Sequence, residues 1–183
     1  MILWRLLPWR QDAPPTGPGG ALWFPRELQG EGRHDNPDRY GCLYVSESPV
    51  STVCEALAPF RGAGALTEGM MMRGGVPLAL ARLELSVEDG LIDFDDPAVL
   101  SGVGLRPSKV ATGWRPATQV QALRLYEEQP ASAGIRWWST IEASLLNVTL
   151  FDRALSSLRV AEVVQVALTD SAVREAAELL GLV

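Results

Sequence analysis

Proline and glycine divide this chain into short segments, and that division limits its fold more than any other feature. The 183 residues include 13 prolines and 17 glycines. Between them lie runs in which apolar and polar residues alternate, as in strands, and fewer runs with apolar residues at helical spacing. Strand patterns dominate the middle and the end of the chain, with helices inserted. The order predicts an α+β fold in a single domain over residues 1–183.

The individual elements can be predicted from the same patterns. The strand patterns span residues 1–8, 41–46, 76–87, 90–94, 134–140, 144–152 and 158–168. Ser48 followed by a proline predicts a helix start, because serine is favoured at the N-cap and proline in the first turn. A second helix follows Pro116 and is ended by Pro130. The last helix begins near Asp170 and stops near Gly181.

The acidic balance of the chain argues against nucleic acid or an anionic membrane as a direct partner. The formal net charge is −6, and Lys109 is the only lysine. Cys42 and Cys54 lie among apolar neighbours, which predicts buried thiols of an intracellular protein and no disulfide. Arg5 and Arg10 break the apolar start early, and no run approaches membrane-spanning length. We therefore expect a cytoplasmic protein without membrane attachment.

Several familiar chemistries lack their residues in this sequence. His34 is the single histidine, so a histidine-rich metal site is excluded, and Cys42 and Cys54 lack the spacing of a zinc site. The segment GPGG neither follows a predicted strand nor opens a helix, so it is a turn and no phosphate-binding loop. No G-x-S-x-G nucleophile motif occurs. What remains is metal-free chemistry built on Arg, Tyr, Glu and Ser.

Residues 32–57, GRHDNPDRYGCLYVSESPVSTVCEAL, collect such side chains. Arg33, Tyr44 and Glu55 must come from separate elements, because proline and glycine interrupt the run. Glu55 shares a helix face with Ser51 and Thr52, whose small side chains are expected to leave room in front of its carboxylate. The neighbouring apolar stripe is formed by Val50, Val53, Cys54 and Leu57.

The same residues carry a resemblance to a known family. The run from GEGR through NP to LYVSESPVSTVCEAL resembles the opening signature of the RES domain family, which is named for an arginine, a glutamate and a serine. AGIRWWST followed by LLNVTLF resembles its closing signature, and LWRL its first short strand. The motifs stand in the family's order over nearly the whole chain. His34 departs from it, since many members have an aromatic residue there, and residues 62–75 match nothing in it.

The resemblance implies a toxin of a bacterial toxin–antitoxin pair that uses NAD as its substrate, without a metal. It also implies a fold similar to ADP-ribosyltransferases, with a mainly antiparallel central sheet and flanking helices. Arg33, Tyr44, Glu55 and Ser139 match the family's arginine, tyrosine, glutamate and serine. Arg33 is then expected to bind the pyrophosphate and Glu55 to face the positive charge that develops on the ribose. Tyr44, expected where a strand end meets a loop, offers a ring to the nicotinamide, and Ser139 positions the nicotinamide or ribose.

Alternatives stay open at this point. The acceptor in the reaction is water, phosphate or a side chain of a target protein, and a non-catalytic binding domain is a third reading. Each residue also has an ordinary explanation: a surface ion pair for Arg33, the core for Tyr44, solvent for Glu55 and a strand end for Ser139. The resemblance implies a helix-turn-helix antitoxin as the partner, and it leaves a homodimer open.

Overall fold

The computed structural model describes residues 1–86 and 90–183. The chain has the predicted α+β fold, with a mainly antiparallel sheet and helices beside it. Contacts divide it into two compact units. The first unit comprises Met1 with residues 24–44 and 85–158, and the second unit comprises residues 2–23, 45–84 and 159–183. No helix within the described ranges is long and apolar enough to cross a membrane.

In the first unit, the strands run in the order β2, β7, β6 and β5. These are β2 (Cys42–Ser46, of which residues 42–44 belong here), β5 (Leu91–Asp93), β6 (Gly134–Trp138) and β7 (Leu146–Phe151). β6 pairs antiparallel with β7 and parallel with β5. The helices are α2 (Pro97–Gly102), α3 (Pro107–Val110) and α4 (Arg115–Glu128).

Aromatic side chains fill the core of the first unit. Tyr40 stacks on Tyr126 at 4.3 Å between ring centroids, and both rings meet Phe151 edge-on. Ile135 of β6 and Leu125 of α4 are fully buried in the same cluster. Burial of such large side chains is the main source of stability in a domain of this size.

In the second unit, a long antiparallel pair forms the centre. It joins β1 (Ile2–Pro8) to β4 (Val76–Leu85) over the full length of β1, and β8 (Leu158–Gln165) also pairs with β4. The helices are α1 (Pro49–Leu57) and α5 (Ser171–Leu180), which pack against each other. Arg5 of β1 donates hydrogen bonds to the carbonyls of Ala21 and Trp23, at 2.6 and 2.9 Å. Burial lowers the pKa of Arg5 to about 10.

Most of the predicted elements are confirmed. Ser48 caps α1, because its hydroxyl accepts a hydrogen bond from the Ser51 amide at 3.0 Å. Gly181 ends α5 in the left-handed conformation, at φ 68°. Cys42 and Cys54 are both buried free thiols. β4 ends at Leu85, and the predicted end of that strand at residue 87 lies outside the described residues.

The structure also corrects the prediction in several places. α2 and α3 were missed because helices of six and four residues are too short to show a period. Ser51 and Thr52 are buried in α1, whereas Val50 is only partly buried. Ser51 and Thr52 therefore do not border an open space in front of Glu55. Thr52 faces β1 instead, because its hydroxyl accepts a hydrogen bond from the Leu6 amide at 3.2 Å.

The glycine-rich segment that matched no family motif, residues 62–75, ends in a hairpin. β3 (Met72–Arg73) pairs antiparallel with β4, and Arg73 lies opposite Val76. The two residues between them, Gly74 and Gly75, have φ of 57° and 78°. A two-residue hairpin turn favours positive φ at both positions, which glycine adopts without a steric penalty.

Gly134 allows β6 and β7 to approach closely, and we expect Gly134→Ala to destabilise the protein. A β-carbon at Gly134 would collide with the backbone carbonyl oxygen of Thr149 and lie 2.9 Å from the Cα of Leu150. Because backbone atoms cannot rotate away, the substitution should lower the free energy of unfolding by about 1–3 kcal/mol. Urea unfolding followed by circular dichroism measures this loss.

Gly113→Ala is the matched control for this substitution. A β-carbon there has no neighbour within 4 Å among the described residues, and φ is not positive. Equal stability of the two alanine variants would contradict the close approach of the strands at Gly134.

Candidate functional site

Arg33 lies in a turn of the first unit and is held by backbone carbonyls. Its Nη1 donates hydrogen bonds to the carbonyls of Val110 and Thr112, at 2.8 and 2.9 Å. The guanidinium carbon lies 4.7 Å from the centre of the Trp137 ring, the geometry of a cation–π contact. The guanidinium is thus fixed from two sides.

The Asp35 carboxylate organises the turn that carries Arg33. It is buried, and its Oδ2 accepts hydrogen bonds from the amides of Gly30 and Gly32 at 2.8 and 2.7 Å. Its Oδ1 accepts a hydrogen bond from the Tyr44 hydroxyl at 2.6 Å. A side chain at Gly32 would collide with Asp35 and with the Tyr44 hydroxyl. Asp35 and Tyr44 therefore fix the path of the backbone on either side of Arg33.

The start of α4 holds the same turn from its other side. The Thr118 hydroxyl donates a hydrogen bond to the Arg33 carbonyl at 2.5 Å. The Gln119 side-chain amide donates to the carbonyls of Gly30 and Gly32, each at 2.9 Å. Arg115 donates to the carbonyl of Glu31. Backbone polar groups that would otherwise need water are satisfied in this way, so the turn is rigid.

His34 is buried beneath the turn and is uncharged. Its Nδ1 lies 2.8 Å from the Thr149 hydroxyl, which also accepts a hydrogen bond from Trp137 Nε1 at 3.1 Å. A hydroxyl that accepts from Trp137 keeps its own proton to donate, so a neutral imidazole with Nδ1 as acceptor satisfies all three groups. Burial, and then the neighbouring charge of Arg33, lowers the pKa of His34 to about 3.

Tyr44 is the third residue of β2, so the expectation that it stands at a strand end is wrong. It is half-buried, and its hydroxyl accepts a hydrogen bond from the His34 amide at 2.9 Å while it donates to Asp35. Burial is the first cause that raises the pKa of Tyr44 well above its usual value, so the hydroxyl remains a neutral donor. Tyr44 therefore holds the turn that carries Arg33, through Asp35 and the His34 amide.

Ser139 follows directly after β6, two residues beyond Trp137. It is buried, its amide donates to the Leu145 carbonyl at 2.8 Å, and its hydroxyl accepts from the Ile141 amide at 3.0 Å. A serine in this arrangement shapes the loop that follows the strand.

Glu55 lies on α1 in the second unit and is half-buried. In that unit its negative charge affects the pKa of the Cys54 thiol. Burial, and then the charges of Glu55 and of Glu175 on α5, raise the pKa of the Cys54 thiol to about 11. The glutamate therefore places its charge near a buried thiol of the same helix.

Three side chains that build the site were not predicted from the sequence: Asp35, Thr118 and Thr149. Trp137 belongs to the site through its contact with Arg33. It is buried, Trp138 is only partly buried, and both pack on the core of the first unit. The spacing of Asp35 from two glycines was the available signal, since aspartate accepts backbone amides in turns. The described ranges hold no group of three or more His, Cys, Asp or Glu placed to hold a metal ion.

Removal of the Tyr44 hydroxyl should loosen the Arg33 turn. Tyr44→Phe deletes the donor to buried Asp35 and the acceptor of the His34 amide. Groups left unsatisfied in a buried position cost about 1–3 kcal/mol. We expect a loss of this size in the free energy of unfolding, measured by urea titration.

Tyr126→Phe serves as the matched control. That ring packs on Tyr40 and Phe151, and its hydroxyl bonds to none of the described residues. A Tyr44→Phe variant as stable as Tyr126→Phe would show that the hydroxyl does not hold the turn.

The neutral state of His34 predicts a pH dependence of stability. The pKa is about 3 in the folded state against 6.5 in the unfolded chain. The unfolded state therefore binds more protons in this window, and His34 makes the folded state less stable as the pH falls from 6.5 towards 3. The slope contributed by this group approaches about 1.4 kcal/mol per pH unit.

The lone imidazole can be followed directly by NMR. We expect no titration of its signals between about pH 5 and 8, where an ordinary histidine changes charge. The difference in unfolding free energy between the wild type and His34→Asn should shift against the wild type as the pH falls. An imidazole that titrates near its ordinary pKa would contradict the buried, neutral state.

The chain is similar to known proteins in sequence and in fold. The model of the RES domain family matches residues 2–171. A chain in the crystal structure of the M. tuberculosis MbcT–MbcA toxin–antitoxin complex superposes with a TM-score of 0.67 at 14% sequence identity, over 98% of this chain and 88% of that one. No curated protein sequence matches this chain. Because the family model spans almost all of the sequence, this chain belongs to the RES domain family.

Proposed function

We propose that this protein is a toxin that degrades NAD by cleaving the bond between nicotinamide and ribose. The observation that carries the proposal is the fixed guanidinium of Arg33, held by two carbonyls above the Trp137 ring. A planar, permanently charged group suits the pyrophosphate of a dinucleotide. Membership of the RES domain family supports the same substrate. We treat residues 1–183 as one such domain.

The pre-organised turn would strengthen the binding of a negatively charged ligand to Arg33. Asp35, Tyr44 and Thr118 fix the backbone at Arg33 before any ligand arrives. A ligand that meets a rigid cation loses less conformational entropy on binding than one that must order a flexible side chain. Neutral His34 adds no charge of its own beside the guanidinium.

Glu55 is the carboxylate that we assign to the chemical step. Cleavage of the glycosidic bond passes through an oxocarbenium-like state, and a fixed carboxylate stabilises the positive charge that develops on the ribose. We assign Tyr44 and Ser139 to positioning. The Ser139 hydroxyl already accepts a backbone hydrogen bond, and the single imidazole, His34, is bonded to Thr149. This arrangement supports a positioning role over a nucleophilic one.

Water and phosphate are the acceptors in this proposal, and transfer of ADP-ribose to a protein is the alternative. The three reactions share the bond that breaks and differ in the group that attacks the ribose. Mass spectrometry of the ribose product identifies the acceptor, and intact-mass analysis of added proteins detects transfer. Unchanged NAD under every condition would favour a non-catalytic binding domain.

We further propose that a cognate helix-turn-helix antitoxin keeps the protein inactive in the cytoplasm, where NAD is essential. A chain in the MbcT–MbcA toxin–antitoxin complex with the same fold supports a partner of this kind. The acidic chain, with net charge −6, leaves DNA binding to the partner.

Glu55→Gln should abolish most of the turnover of NAD while binding changes little. The substitution keeps the shape of the side chain and removes a charge whose partner exists mainly in the transition state. We expect kcat to fall about a hundredfold or more, measured by release of nicotinamide. Wild-type protein must be freed of any bound antitoxin before the assay.

Glu175→Gln is the matched control for this substitution. The charge of Glu175, like that of Glu55, raises the pKa of the Cys54 thiol, but Glu175 lies exposed on α5. The Glu175→Gln variant should retain the wild-type rate, because Glu175 has no assigned role in the reaction. A Glu55→Gln variant that is folded, as judged by circular dichroism, and equally active would refute the assigned role.

A further inference from the structure

One stretch of this acidic chain is free of negative charge and lies beside Arg33. Residues 97–126 contain no aspartate or glutamate. Within them, residues 106–115 form what we term the cationic segment, which comprises α3, the loop after it and the first residue of α4. It carries Arg106, Lys109 and Arg115, all exposed. Since the whole chain has a net charge of −6, the segment is a local region of positive potential on an otherwise acidic protein.

The cationic segment also exposes a tryptophan. Trp114 is 65% exposed, although large aromatic side chains are usually well buried. Its amide donates a hydrogen bond to the Thr112 hydroxyl at 3.2 Å, which fixes the backbone just before α4. The core of the first unit already contains its aromatic residues, so packing does not explain Trp114. An exposed aromatic ring between cations is a surface suited to a flat ring that carries negative charge.

The backbone of the cationic segment contacts the Arg33 side chain. The two carbonyls that hold the guanidinium, those of Val110 and Thr112, belong to this segment. Arg115 contacts the Arg33 turn through the carbonyl of Glu31. A phosphate bound to Arg33 would therefore lie against the segment that carries Lys109, Trp114 and Arg115.

We propose that the cationic segment is the binding subsite for the adenosine diphosphate half of the dinucleotide, with the Trp114 ring stacked on the adenine. The inference rests on the proposed function, because it takes NAD as the substrate. Lys109 and Arg106 add positive charge for the phosphates, and Arg33 stands at the boundary with the nicotinamide half. Specificity for a dinucleotide over nicotinamide mononucleotide would then come from this segment.

The size and charge of the segment favour this ligand over a longer polyanion. Three cations and one aromatic ring match one base and two phosphates. A nucleic-acid strand needs an extended basic track, and the chain as a whole has a net charge of −6.

Binding of ADP tests the subsite independently of catalysis. Isothermal titration calorimetry of the full chain with ADP should detect binding that weakens as salt is added, because exposed charges contribute to it. Trp114→Ala should reduce the affinity for ADP about tenfold, the loss expected for a stacked base. Trp114→Phe should restore most of it. Val120→Ala, which removes another exposed apolar side chain (70% exposed) from α4, should leave it unchanged.

Steady-state kinetics with NAD and with nicotinamide mononucleotide distinguish binding of the adenosine half from cleavage at the nicotinamide half. Trp114→Ala should raise KM for NAD and leave kcat nearly unchanged, and it should leave cleavage of nicotinamide mononucleotide unaltered. Lys109→Ala should act in the same direction with a smaller effect.

The proposed subsite and the proposed function fail in different ways. If ADP does not bind the wild type, or binds Trp114→Ala equally well, the subsite is refuted even if NAD is cleaved. If ADP binds through Trp114 but NAD stays intact, the subsite is supported and the proposed reaction is wrong. Trp114-dependent binding of a single-stranded oligonucleotide without binding of ADP would overturn the subsite.

Discussion

The buried carboxylate of Asp35 is the constraint on which the arrangement around Arg33 depends. It accepts hydrogen bonds from two backbone amides and one hydroxyl, and so joins the turn to β2 through Tyr44. Without this anion, the amides of Gly30 and Gly32 and the Tyr44 hydroxyl would lose their partners. The cost of burying one carboxylate is offset by these bonds, and the result is a backbone that can present a cation in one position.

A second feature of the site is that the charged guanidinium of Arg33 has an uncharged imidazole, that of His34, as its neighbour. Positive charge stays on the guanidinium, because burial and the guanidinium itself keep His34 neutral. The imidazole is bonded to the hydroxyl of Thr149 and meets Trp137 edge-on at 5.6 Å. A neutral imidazole avoids the repulsion that a second cation beside the guanidinium would cause. His34 thus places an uncharged ring beside the guanidinium.

The segment before α4 has two roles that reinforce each other. Its carbonyls orient Arg33 from one side, while its exposed side chains, Lys109 and Trp114 among them, remain available for a ligand. The segment is held by the Arg33 side chain, which donates to the carbonyls of Val110 and Thr112, and by Arg115, which donates to the carbonyl of Glu31, so it can keep an aromatic ring exposed in one place. This rigidity lowers the entropy lost when a ligand binds.

The sequence by itself determined the elements and the family. Alternation predicted β1 and β6, serine and glycine marked the ends of α1 and α5, and the ordered motifs around Arg33 and Ser139 pointed to the RES domain. These signals are local or depend only on order along the chain, so one sequence is enough to find them. The tertiary structure decided which side chains surround Arg33. Val110 and Thr118 lie far from Arg33 along the chain, and nothing in their residue types announces the contact. Tyr44 was expected to offer its ring to a ligand, whereas in the structure its hydroxyl binds the Asp35 carboxylate. Its partner is set by how β2 packs and not by its neighbours in sequence.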